Sequence, residues 1–272
     1  MDFQGKNVLN SSFITLSPHV AVADLGAAMV LVDYRTGRVE TLVGPAARWF
    51  ADLATTGDAR ASTALGATAA TTLAHQLAEA GLVRPTPAPT PFAPPVAGPA
   101  WIPSWGTQEM AAGRIPLPPV PTRTVLGAAL ALSVVLCLLR AGRTETRMGR
   151  LIRLLSWACG HTTRNTSPEN ARRAVHAVRR AGSLFPSRIA CLEESAAATL
   201  LLACSGHRVR WCHGVAADPV RLHAWIETCD RQPVAEAPST LRFAVLLTIP
   251  VSDDERETDA PGRRTNHLDF WK

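Results

Sequence analysis

Cys191, His223 and an acidic residue beyond them are the side chains of this 272-residue chain best suited to covalent chemistry. Cysteine attack on an amide needs a thiolate, a proton donor for the departing amine and a third group that orients the histidine. Cys191 stands at the predicted start of an apolar helix carrying Leu192, Ala196, Thr199, Leu200 and Ala203 and ending near Gly206. Unpaired N–H groups and the helix dipole favour a thiolate there, and the Cys191 N–H is placed to help bind an oxyanion. His223 falls on the second of two predicted strands, 209–215 and 222–228. Glu236 follows a turn and is positioned to accept the Nδ1–H of His223; Asp230, inside the turn, is the alternative. A competing reading makes Cys191 an inert buried thiol and His223 a satisfied core histidine. Spacing alone favours that one, because cysteine motifs do not transfer between families. His207, Cys212 and His213 form an incomplete metal set without an evident fourth ligand, so no metal and no other cofactor is expected.

Two regions flank a proline-rich stretch. Twelve of the 21 prolines lie between Pro85 and Pro121, which reads as a semi-rigid linker over 84–122, with Trp101, Ile102 and Trp105 available to dock it. Before it, β-prone runs at 20–25, 29–34 and 38–43 are followed by a helix opened by Gly44-Pro45 and a last helix near 67–80 that ends at Gly81. Three strands and about three helices in residues 1–83 make a winged-helix-like layout. After it, 125–139 is apolar but shorter than the roughly 20 residues of a membrane span, so a buried helix is expected. Arg140, Arg143, Arg147, Arg150 and Arg153 are read as one solvated face of its continuation. Residues 123–252 hold the Cys/His region, and 253–272 is a polar tail.

Composition excludes several classes. With 47% hydrophobic and 18% charged residues the chain is neither disordered nor fibrous. Residues 1–83 carry 5 basic and 7 acidic side chains, which disfavours a winged-helix nucleic-acid binder; the remainder carries 23 and 15. No two of the six cysteines form a C-x-x-C pair, and the first 12 residues lack a basic segment followed by an apolar run. A cytoplasmic location with reduced thiols is expected, with membrane contact through the apolar helix a disfavoured option.

Residues 183–236 resemble the transglutaminase-like cysteine protease domain of lasso-peptide maturation proteins. The resemblance rests on Cys191-Leu192, Ser195, Gly206, Gly214-Val215 and His223-Ala224-Trp225 in that order. Residues 13–83 resemble the small PqqD-like domain that recognises leader peptides, through Asp24-Leu25-Gly26, the strand up to Tyr34, Gly37, Leu42, the Gly-Pro-Ala-Ala helix start and Leu77 before Gly81-Leu82. The chain departs from the family where Ala235-Glu236 stands in place of the usual Asn-Asp.

These resemblances imply an α+β fold: a winged-helix-like recognition domain, a proline-rich linker and a transglutaminase-like or papain-like cysteine protease. They imply a leader peptidase with Cys191, His223 and Glu236 as its catalytic set. The precursor's leader would add as a strand along Arg38, Val39, Glu40, Thr41, Leu42 and Val43, against Leu73, Gln76 and Leu77 of the last helix. The implied partners are the lasso precursor peptide and an asparagine-synthetase-like macrolactam synthetase. An inactive precursor-binding chaperone and a true transglutaminase, acylating an amine instead of water, are the other outcomes.

Overall fold

The computed structural model describes residues 13–98, 118–186, 188–217 and 220–250, and the described chain forms two compact units that divide after Ala97. The proposed docking residues Trp101, Ile102 and Trp105 and the polar tail lie outside the described residues.

In the first unit, alternation and β-branching produce the sheet the sequence predicts. Strands β2 (Val20–Asp24), β3 (Ala28–Asp33) and β4 (Arg38–Val43) run antiparallel in the order β2-β3-β4. β3 is central and wholly buried, and β4 lies at the edge with Arg38, Thr41 and Val43 exposed. Asp33 closes the β3–β4 turn by accepting from the Arg35 N–H at 2.7 Å and from the Thr36 hydroxyl at 2.8 Å. Helix α1 (Pro45–Thr56) opens on proline, which suits a first helical turn, and ends at Gly57 in the left-handed region. It buries Trp49, Phe50 and Leu53 against the sheet, and α2 (Ala67–Glu79) adds Ala70, Ala74 and Leu77 to the same core.

The first unit departs from the winged-helix expectation in two ways. Its described residues form five strands and two α-helices, not three and about three. Between α1 and α2, Asp58 accepts from the Arg60 N–H and Ser62 from the Ala64 N–H, and such local side-chain bonds favour turns over a third helix. The beginning of the proline-rich stretch also folds with this unit instead of linking. β5 (Val83–Pro85) pairs antiparallel with β1 (Ile14–Leu16). Phe92 enters the core against Phe50, 5.9 Å between centroids, and its N–H reaches Ala54 O. Pro95 O and the Ala97 N–H then bond Asp24, covering the end of β2's outer edge. Proline lacks a donor, yet its carbonyl and an extended backbone suit an edge position.

The second unit begins with α3 (Thr122–Arg140), which packs on α5 (Pro168–Gly182) and α6 (Cys191–Cys204). Ala128, Ala131, Leu132, Val135 and Leu136 are buried, whereas Leu126, Leu130 and Val134 on the opposite side are exposed. By length and composition alone this helix is long and apolar enough to cross a membrane.

The arginine series does not continue α3. Gly142 is left-handed and breaks the helix, and α4 starts afresh at Arg147 and runs to Gly160. Arg150 is not simply solvated: it folds back onto the carbonyls of Leu138, Ala141 and Arg143 and so satisfies the open end of α3. Three antiparallel strands complete the unit in the order β10-β8-β9, formed by β8 (Arg210–Ala216), β9 (Arg221–Glu227) and β10 (Ala244–Ile249), with α6 packed on β9. A short parallel pair joins β6 (Arg164–Asn165) to β7 (His207–Arg208).

Candidate active site

The α6 helix begins at Cys191. Its preceding residue, Ala190, is extended, and the Glu193 carboxylate reaches back 3.1 Å to accept the Ala190 N–H. Cys191 therefore sits among the unpaired N–H groups of a first helical turn. The helix is fixed from below by Ser195, whose Oγ accepts the Trp211 indole N–H at 2.9 Å. Trp211 is wholly buried on β8, so the helix that Cys191 opens is tied to the sheet one turn after the thiol.

His223 comes from β9, as its apolar alternation predicts. Trp225, two residues on and hence on the same face, stacks beside it with centroids 5.7 Å apart and planes 16° apart. Phe243 approaches from the other elements of the unit at 5.4 Å. The Trp225 indole N–H donates to Glu227 Oε1 at 2.9 Å, which holds the ring in place. Gly214 faces His223 across the β8–β9 ladder. A Cβ there would lie 2.6 Å from Ala244 O and 2.9 Å from the Trp225 ring, so only glycine leaves room for this aromatic wall.

The structure brings Cys191, His223 and Glu236 together. Glu236 Oε2 accepts a hydrogen bond from His223 Nε2 at 2.9 Å. This corrects the nitrogen assigned from the sequence: the acid takes Nε2, which leaves Nδ1 for the thiol. Asp230, the alternative acid, is exposed in the turn and accepts from the Thr228 hydroxyl instead.

The electrostatics follow this geometry. Burial pushes the Cys191 thiol up, but a hydrogen bond from His223, the backbone N–H groups of Ala224 and Leu192 and the imidazolium charge bring it below the ordinary thiol value. Burial pushes His223 down, yet its hydrogen bonds and charge interactions with Cys191 and Glu236 raise it to about 9. The pair therefore favours thiolate and imidazolium together. The other cysteine and histidine candidates behave differently. Burial pushes Cys212 well up, while His213 falls to about 4, first through burial and then through the His223 charge. His213 is an uncharged ring stacked on Trp211, and no metal-holding cluster of His, Cys, Asp or Glu occurs among the described residues.

Sequence reasoning missed Arg179. It lies in the last turn of α5, whose Ser167-Pro168-Glu169 start is a helix N-terminus signature that sequence inspection can find. Its Nε bonds Glu194 Oε1, its Nη1 donates to Ala235 O at 2.8 Å and its Nη2 to Glu236 Oε1 at 3.2 Å.

In the first unit, the edge residues Arg38, Val39, Glu40, Thr41, Leu42 and Val43 form β4 as expected, with Leu42 and Leu73 on the margin of the core. Gln76 is exposed. Leu77 is not available to a ligand as the sequence reading supposed: it is 5% exposed and packs in the core, because it falls on the same helix face as Ala70 and Ala74.

Residues 133–248 match the family described as the transglutaminase-like superfamily, which spans α6, β8, β9 and all three converging side chains. No curated protein and no solved structure gives a match.

Proposed function

With a transglutaminase-like superfamily domain at residues 133–248 as the premise, we propose that this chain is a cysteine leader peptidase of lasso-peptide maturation. The observation that carries the proposal is the Cys191–His223–Glu236 arrangement at the first turn of α6. A histidine-paired thiolate at a helix N-terminus is an activated nucleophile, and a lone structural cysteine has no use for one.

The chemistry assigned to the residues is as follows. Cys191 Sγ attacks the carbonyl carbon of the leader–core amide. The first-turn N–H groups of α6 stabilise the oxyanion. The imidazolium of His223 gives its proton to the departing core amine as the C–N bond breaks, leaving a leader thioester on Cys191. Water, deprotonated by His223, then attacks the thioester and releases the leader as a carboxylate. Glu236 keeps the imidazole oriented throughout and stabilises its protonated form.

The first unit is the proposed leader-recognition element of PqqD type. β4 pairs only with β3 among the described residues, while the end of the opposite edge, on β2, is covered by residues 95–97. An extended leader added along β4 would gain backbone hydrogen bonds, with Leu42 and Leu73 offering apolar contacts. Tethering the two units then raises the concentration of the scissile bond at Cys191. The freed core amine is the substrate that a partner asparagine-synthetase-like macrolactam synthetase would close into a ring, in the cytoplasm.

Mass spectrometry of a candidate precursor peptide incubated with wild type and with Cys191→Ala tests the proposal. Loss of an N-terminal leader with wild type only is expected. An intact precursor with wild type, even after the cyclase is added, refutes a peptidase. Addition of a labelled amine to the leader's new C-terminus would make the enzyme an acyltransferase instead.

A further inference from the structure

The Glu236 carboxylate is divided between two partners: Oε2 faces His223, and Oε1 faces Arg179. The same guanidinium holds the carbonyl of Ala235, the residue just before the acid, and the Glu194 carboxylate on α6, three residues after Cys191. One side chain from α5 therefore ties the acid's loop to the nucleophile's helix. Resting on the catalytic reading above, we propose that Arg179 is a positioning residue that aims Glu236 at His223 and so maintains the reactive state of Cys191.

Three further observations support this. Ala235 adopts φ 54, a left-handed conformation that is strained for a Cβ-bearing residue. Neither glycine nor asparagine relieves that strain here, and the Arg179 bond to Ala235 O is placed to hold it. A glutamate also has one more rotatable bond than an aspartate, so its carboxylate needs more restraint to stay in one place. Finally, Arg179 is partly buried, at 28% side-chain exposure, and uses donors on three different nitrogens for three different acceptors. A lysine carries the same charge on one compact ammonium and cannot reproduce that fork.

The test needs no substrate. Iodoacetamide alkylation is followed site by site by peptide mass spectrometry, from pH 5 to pH 10, in wild type, Arg179→Lys and Arg179→Gln. Exposed Cys229 serves as the internal reference, and buried Cys159 and Cys212 report unfolding in the same samples. In wild type, Cys191 should react faster than Cys229 at pH 6. At pH 6 the Cys191 rate should fall about tenfold in Arg179→Lys, as for a rise of about one decade in the thiol's proton affinity, and the Cys191 rates of the two proteins should converge above its ionisation, where both hold a thiolate. Arg179→Gln should show the same pattern more strongly, with partial recovery on adding free guanidinium.

Wild-type reactivity of Cys191 at pH 6 in Arg179→Lys, with Cys159 and Cys212 still protected, overturns the inference. A loss that persists equally at pH 10 also overturns it, since that is a structural effect and not a protonation effect. If Arg179→Lys loses protection at Cys159 and Cys212, guanidinium rescue of Arg179→Gln decides: recovery of the pH 6 advantage supports positioning and its failure refutes it. Absence of any Cys191 advantage in wild type is a different outcome, which sinks the catalytic reading itself.

Discussion

Glu236→Gln keeps the shape of the acid and removes its charge. His223 rises from 6.5 to about 9 in the folded chain, which corresponds to about 3 kcal/mol at ~1.4 kcal/mol per tenfold change in proton affinity. Two partners, Cys191 and Glu236, supply that gain against a burial cost. Glu236 supplies part of that gain, through a hydrogen bond and its charge, so the amide variant should hold the His223 proton less tightly. The sign follows from the role of the proton. Imidazolium must be present to protonate the leaving amine, so activity falls as pH rises through the His223 value. Removing the Glu236 charge lowers that value, and the alkaline limb of cleavage should move down from about pH 9 toward the ordinary imidazole range. At neutral pH cleavage should slow as well, because the uncharged amide no longer stabilises the imidazolium that pairs with the thiolate. The assay is single-turnover cleavage of a precursor peptide followed by mass across pH 5 to 10, with far-UV circular dichroism to show that the fold survives. An unmoved alkaline limb refutes the reasoning. So does full activity in Glu236→Gln combined with its loss in Asp230→Asn, which would make Asp230 the third member.

Other substitutions separate packing from chemistry. Gly214→Ala should lower Tm by several degrees, because overpacking typically costs 1–3 kcal/mol, roughly, and the new methyl would meet Ala244 O and the Trp225 ring; calorimetry checks it. Arg150→Ala should cost about 0.5–1.5 kcal/mol in a denaturant titration by removing the side chain that bonds the carbonyls of Leu138, Ala141 and Arg143, while alkylation of Cys191 stays at the wild-type rate. Thr41→Pro should weaken binding of a fluorescent leader peptide by removing a backbone donor from β4, and Cys191 reactivity should be unchanged.

Much of the architecture was legible because its causes are local. Pro45 opens α1, Gly81 follows the end of α2, and alternation over 38–43 makes the exposed edge strand. Cys191 at a helix start and His223 on a strand followed from apolar periodicity, and the resemblance then singled them out. Some departures have local causes, the turn bonds of Asp58 and Ser62 and the left-handed Gly142, while the others turn on a partner distant in sequence. The arginines after α3 have helical spacing, yet Gly142 breaks the helix and Arg150 turns back onto its end. Prolines signal a linker, but Phe92 finds a hydrophobic core and Pro95–Ala97 an unfilled strand edge.

The proposed acid shows the division most clearly. The resemblance puts the third member at Glu236, with Asp230 as the fallback. Only the tertiary structure chooses between them, because the turn that separates them points one side chain at His223 and leaves the other bonded to Thr228. It also decides which imidazole nitrogen meets the acid and adds Arg179, which lies 57 residues before Glu236. Helix and strand signals arise from neighbours along the backbone. Ionic and hydrogen-bonded partners are selected by packing, which brings together charges that no sequence period relates.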